Sequence, residues 1–303
     1  MKYSKTIIPA ICMAMLGGAC ASPVGGGGGT PVPLASQPSP IPAVSTAALG
    51  VSTASVTPEP RLTPTELSCL QQGGMLQDGV LASKIMPQPL EFRIYLPPCY
   101  DQLPEHSYPT IYLIHGQTYS QDQWDRLGAD EQADEMILIG ESVPFIIVMP
   151  RDRTWDPPEK DLFGEAVVNE LIPYIDENYR TIPDREHRAV GGLSRGASWA
   201  VHLGLNRWDL FGTIGAHSLP VFWSDVTDVR PLLQAIPPES MPRIYIDIAT
   251  KDSAQSKFSS EWFVRVLIEE GIPHEWYLFV GEHNEKYWAS HVRQYLRFYT
   301  HEW

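Results

Sequence analysis

From Thr110 to the C-terminus, short runs of consecutive apolar residues alternate with longer stretches whose apolar residues recur every three or four positions. This alternation restricts the fold more than any other feature. The runs are Thr110-Ile-Tyr-Leu-Ile114, Phe145-Ile-Ile-Val-Met149, Arg188-Ala-Val190, Gly212-Thr-Ile-Gly-Ala216, Arg243-Ile-Tyr-Ile-Asp-Ile-Ala249 and His274-Glu-Trp-Tyr-Leu-Phe-Val280. A strand that is apolar on successive residues has both faces covered, as in a parallel sheet. Between the runs, Gly164–Asn178 places Val167, Val168, Leu171, Ile172 and Ile175 on one helical stripe, and Ser259–Glu270 and Ala289–Phe298 repeat the habit. The expectation is a doubly wound, mostly parallel α/β sheet with ligands at the carboxyl ends of its strands. Leu90–Leu96 instead alternates apolar and polar residues and stops at Pro97-Pro98, which suits an outer antiparallel strand at the N-terminal side.

The first 64 residues do not share this pattern. Lys2 and Lys5 precede the apolar stretch Ile7–Leu16 and a cluster of small residues around Cys20, so residues 1–21 read as an export signal. Leu16-Gly-Gly-Ala-Cys20 resembles a bacterial lipoprotein box in which Cys20 is lipidated, although the Leu stands one position too far from the Cys. Ala19-Cys20-Ala21 also suits ordinary signal cleavage, so membrane attachment through Cys20 and free secretion both stand, and either puts the body outside the cytoplasm. Residues 22–64 hold mainly Gly, Pro, Ser, Thr and Ala and cannot bury enough apolar area to offset ordering, so a disordered linker is expected. Residues 65–303 then form one α/β domain. In an oxidising compartment Cys69 and Cys99 form one disulfide; the alternative is two separate buried thiols. A net charge of −14 excludes a nucleic-acid or anionic-membrane surface for the body, because such surfaces need clustered Lys and Arg.

Gly192-Leu193-Ser194-Arg195-Gly196 fits G-x-S-x-G between an apolar run and a helical stretch, the setting of a nucleophile elbow. A serine hydroxyl needs a histidine base, itself oriented by a carboxylate, and on this fold the acid and base follow the serine in that order. Asp252 follows the run 243–249, and His283 follows the run 274–280. Asp247 lies inside its run and reads as a packed carboxylate, and Asp225 and Asp228 precede the strand. His291 and His301 fall in the terminal helix and tail, and His187 and His274 precede strands. The oxyanion donors are expected to be the amides of Arg195 and of Gln117, with Gly116 permitting close approach and His115 shaping the turn. Aromatic residues crowd these loops, among them Trp124, Trp199 and Trp288, and some of them must be core; Tyr119, Trp155 and Trp223 are the better candidates for a substrate surface. No Cys/His cluster has metal-ligand spacing and no Gly-rich phosphate loop opens a helix, so neither metal nor cofactor is expected.

Several segments together resemble the esterase family of α/β-hydrolases that includes esterase D, enterochelin esterase, secreted feruloyl and acetylxylan esterases, and the mycolyltransferases. They are Ile94–Tyr100, Tyr112–Gly116, Glu170–Arg180, Arg188–Gly196 and Gly281–Trp288, the last with a Trp five residues after its His. The resemblance implies Ser194 as nucleophile, His283 as base and Asp252 as acid, acting on a small-molecule or polysaccharide ester without a cofactor. Two positions depart from the family. Arg195 stands where Met is usual, and its side chain either meets an anionic substrate or pairs with a loop carboxylate. The acid loop Ala249-Thr-Lys-Asp252 lacks the family's frequent Gly. An ester hydrolase working through an acyl-enzyme is the leading reading; an acyltransferase with the same triad and a non-catalytic envelope binding module are the alternatives.

Overall fold

A computed structural model describes residues 68–303. The export signal, the linker and Cys20 lie outside the described residues. Eight strands form one sheet: β1 (Met75–Leu81), β2 (Leu90–Leu96), β3 (Thr110–Ile114), β4 (Ile146–Pro150), β5 (Arg188–Leu193), β6 (Thr213–His217), β7 (Arg243–Lys251) and β8 (Glu275–Glu282). Their order is β1-β2-β4-β3-β5-β6-β7-β8. β1 and β2 run antiparallel to their neighbours and the remaining pairs are parallel.

The six apolar runs are all strands, and five serve two faces at once; β8 instead forms the far edge, where Leu278 and Val280 are exposed, so the expected cover on both faces does not hold for it. Tyr112 and Ile114 of β3 and Ile146 and Val148 of β4 enter one core with Phe163, Trp199 and Phe263. Ile111 and Leu113, with Ile147 and Met149, enter a second core with Trp124, Met136, Trp288 and Tyr295. This side-to-side alternation of wholly apolar strands makes the sheet doubly wound. Gly191 and Gly215, paired across β5 and β6, leave room for Tyr299; a Cβ on either would stand 1.8 or 1.9 Å from its hydroxyl.

Three expectations are corrected. β2 is not the outer strand, because Met75–Leu81 pairs with it over its whole length and forms the edge. That stretch shows no clear alternation, and Gly79 sits over the Phe92 ring, where a Cβ would come within 2.1 Å. The stripe Gly164–Asn178 is a helix in three parts, Phe163–Ala166, a π turn Val167–Leu171, and Ile172–Asn178. Pro173 has no N–H to continue the α ladder, which a π turn accommodates. The terminal pattern divides into helices Glu285–Ala289 and Val292–Thr300, and His291 caps the second rather than lying within it. Cys69 and Cys99 are disulfide-bonded, with Cα atoms 5.1 Å apart, joining the segment before β1 to the turn after β2.

The chain leaves β3 for β4 on one side and then places β5 on the other, so the strand order reverses at β3. A crevice opens outside the carboxyl ends of strands at such a reversal. The loop after β3 carries Gly116 and Gln117, and the turn after β5 carries Ser194.

Candidate active site

Ser194 has φ 52° and ψ −118°, a conformation that a non-glycine residue adopts only where its surroundings hold it. Glycines on either side allow the turn. A Cβ on Gly192 would lie 2.2 Å from the carbonyl carbon of Gly196, and one on Gly196 would lie 2.1 Å from the Ile114 carbonyl oxygen. The Ser194 amide donates to the His217 carbonyl at 2.8 Å, tying the elbow to β6.

The Ser194 hydroxyl lies 3.0 Å from Nε2 of His283, and Nδ1 of His283 lies 2.7 Å from Oδ1 of Asp252. An ionised carboxylate only accepts, so the ring proton sits on Nδ1 and Nε2 accepts from the serine. Each residue comes from a different loop, after β5, β7 and β8, as the chain order requires. The Asp252 side chain is fully buried. Burial acts to raise its pKa, but hydrogen bonds from His283, Ser218 and the Ser253 amide, with the charge of the imidazole, outweigh that and hold the carboxyl below its ordinary value. Asp252 is therefore an anion at neutral pH.

Ser218 and Trp288 extend this line. Ser218 donates to Oδ2 of Asp252 at 2.8 Å and accepts from the Trp288 indole at 3.1 Å. The same indole stands edge-on to the His283 ring, with centroids 5.0 Å apart. Ser218 was not legible in the sequence, because a serine after an apolar run carries no signal of its own.

The amides of Gln117 and Arg195, the expected oxyanion donors, have no acceptor among the described residues. Their loop is fixed from below. The Gly116 amide donates to Gln123 Oε1 at 2.8 Å, and His115 Nδ1 donates to the Gly116 carbonyl at 2.7 Å. The Trp124 indole donates to the Ile114 carbonyl at 3.1 Å. Arg195 directs its side chain away from the crevice and pairs with Asp152 and Asp161 at 2.6 and 2.8 Å, so of its two expected roles the loop-carboxylate pairing is the one present.

Of the candidate substrate residues, Trp155 is 64% exposed and donates its indole N–H to the Gln117 carbonyl at 2.8 Å, which ties it to the loop after β3. Tyr119 is at the margin of exposure three residues after Gly116, whose carbonyl accepts its amide. Trp223 is 88% exposed and starts the short helix Trp223–Thr227, with no hydrogen bond to Ser194 or His283 among the described residues. Trp124, Trp199 and Trp288 are buried. Asp247 is packed: it accepts from His217, Tyr287 and Tyr295 at the centre of the second core. Among the described residues no group of three His, Cys, Asp or Glu could hold a metal ion.

A family model described as "Putative esterase" matches residues 83–299. The chain belongs to this esterase family. Among its relatives is an endo-1,4-beta-xylanase/feruloyl esterase of Xylanibacter ruminicola, 27% identical over 201 residues, a match that covers 60% of this chain and 26% of that protein. The chain thus spans about a quarter of that relative's length. A solved ferulic acid esterase superposes with a TM-score of 0.67 at 23% identity, covering 76% of this chain and 98% of the other. A ferulic acid esterase of Anaeromyces mucronatus in complex with ferulic acid gives 0.63 at 22% identity, covering 75% and 90%. At these identities the superpositions establish the α/β-hydrolase fold of the esterase family.

Proposed function

We propose that the chain is an exported serine esterase that hydrolyses a carboxylic ester through an acyl-enzyme. The observation that carries this reading is the hydrogen-bonded line from Ser194 Oγ to His283 Nε2, at 3.0 Å, and on to the buried Asp252. His283 takes the Ser194 proton as Oγ attacks the ester carbonyl, and the anionic Asp252 stabilises the imidazolium. The negative oxygen of the tetrahedral intermediate accepts from the Gln117 and Arg195 amides, donors worth roughly 3 kcal/mol each when well aimed. Collapse expels the alcohol, which takes the proton from His283; water then repeats the sequence on the acyl-serine and frees the acid.

The acyl group that suits the crevice is aromatic. Trp155 offers an exposed ring tied to the loop after β3, and the xylanase/feruloyl esterase relative is named for a feruloyl ester. The His283 side chain is 29% exposed, which leaves a path for water to the acyl-serine. Export is supported by residues 1–21 and by the Cys69–Cys99 disulfide, a bond that persists in oxidising compartments; attachment through lipidated Cys20 or release after cleavage completes the proposal. Replacing Ser194→Ala should abolish turnover of a hydroxycinnamate methyl ester and of nitrophenyl acetate and should remove labelling by a fluorophosphonate probe. Retained labelling on the folded variant overturns the nucleophile.

A further inference from the structure

The segment 151–162, between β4 and the helix at Phe163, has no regular secondary structure beyond one turn, yet it carries Trp155. One guanidinium draws together the two ends of its inner side. Arg195 Nε donates to Asp152 Oδ2 at 2.6 Å, and Nη2 donates to Asp161 Oδ2 at 2.8 Å and to the Asp156 carbonyl at 2.7 Å. The guanidinium also lies over Phe222, 5.2 Å from its centroid. These side chains are almost wholly buried, 8% exposed for Arg195 and 3 and 2% for the two aspartates.

The aspartates pass the constraint on. Asp152 also accepts from the Trp199 indole at 2.9 Å, and its amide donates to His115 Nε2 at 3.0 Å, beneath the Gly116 loop. Asp161 accepts from the Thr154 hydroxyl and from the Phe163 amide. At its start Arg151 and Arg153 both pair with Glu91 of β2, at 2.5 Å each, whereas further along its outer side faces a cavity of about 350 Å³ lined by Met86, Pro87, Gln88 and Leu162. Trp155 stands between the anchors and spans to the Gln117 carbonyl.

We infer that the Arg195 side chain is a positioning residue for substrate selection. It staples residues 152–161 so that Trp155 forms a fixed wall for an aromatic acyl group, while the amide of the same residue faces the reacting oxygen. Only a planar fork can meet two carboxylates and a carbonyl from one position; a Met there could hold none of them and a Lys no more than part. The kinetic arm of the inference rests on the hydrolase reading above, and the structural arm does not.

The test uses the full chain. Asp161→Asn keeps Arg195 and its amide, so nitrophenyl acetate turnover should stay unchanged, while KM for a hydroxycinnamate methyl ester should rise about tenfold with kcat within about twofold. Trypsin should cleave after Arg153, whose neighbours the substitution leaves unchanged, about tenfold faster than in the parent chain. Arg195→Met should extend the rise in aromatic-ester KM and in cleavage, with Arg195→Lys between it and the parent. Trp155→Ala, outside the ion-pair cluster, should reproduce the KM effect without the trypsin effect. Unchanged cleavage in both Asp161→Asn and Arg195→Met, or equal kcat losses on the two esters, overturns the staple; an unchanged aromatic KM in Trp155→Ala overturns the wall. A parent chain that turns over neither ester overturns the hydrolase reading instead, and cleavage still decides the staple.

Discussion

His115 is neutral at physiological pH because burial pushes its imidazole down to about 4, more than its hydrogen bond to the Gly116 carbonyl raises it. The neutral ring does what a charged one could not: Nδ1 donates to Gly116 while Nε2 accepts from the Asp152 amide. A folded-state pKa below the unfolded value of about 6.5 means that the unfolded chain binds the proton first. The contribution to stability is therefore complete above about pH 6.5 and is lost as pH falls toward 4, by on the order of 3 kcal/mol over that window. Urea unfolding at pH 7 and pH 4.5 should show a steeper loss for the parent than for His115→Gln, which retains amide hydrogen bonding but does not titrate there; equal losses would refute the assignment. At this scale one residue was half legible. The sequence marked His115 as a turn-shaping residue, but its partner Asp152 lies 37 positions away and was invisible.

The turn after β6, the loop after β7 and the helix Glu285–Ala289 converge at Asp252. Ser218 and Trp288 connect the three, through hydrogen bonds of 2.8 and 3.1 Å that reach the carboxylate. Hydrogen bonds to a charged acceptor contribute about 1.5 to 3 kcal/mol. Removing the donor in Ser218→Ala should let Asp252 reorient and misalign His283, lowering kcat about tenfold with little change in KM. Trp288→Phe, which keeps the ring against His283 but cuts the bond to Ser218, should give a smaller loss of the same kind. Steady-state kinetics on nitrophenyl acetate separates the outcomes, and a rise in KM without a fall in kcat would point to a binding role instead. The strands themselves were legible as apolar runs, whereas β1 was not, because it is specified by pairing along β2 rather than by its own residues.

For the whole molecule, the Cys69–Cys99 bond closes a loop with a sequence separation of 30 around the antiparallel edge, where β1 has little core of its own. Constraining a loop of that length in the unfolded chain contributes about 3 to 4 kcal/mol. Cys69→Ser should lower stability by that order in chemical denaturation, and an unchanged midpoint would show that the edge is held by its strand pairing alone. The sequence by itself determined the doubly wound sheet, since most of its wholly apolar runs are strands covered on both faces, the edge run of β8 being the exception. It also placed Ser194, Asp252 and His283, in that order, after three separate strand runs, and it singled out Asp252 over Asp247 because the latter lies within a run. Tertiary structure alone decided where the Arg195 side chain goes, which polar groups hold Asp252, and which exposed tryptophan stands beside the crevice. These depend on contacts between residues 30 to 70 positions apart, such as Ser218 with Asp252 and with Trp288. Local periodicity reports how much of a segment is buried; only the folded chain specifies which partners share that burial.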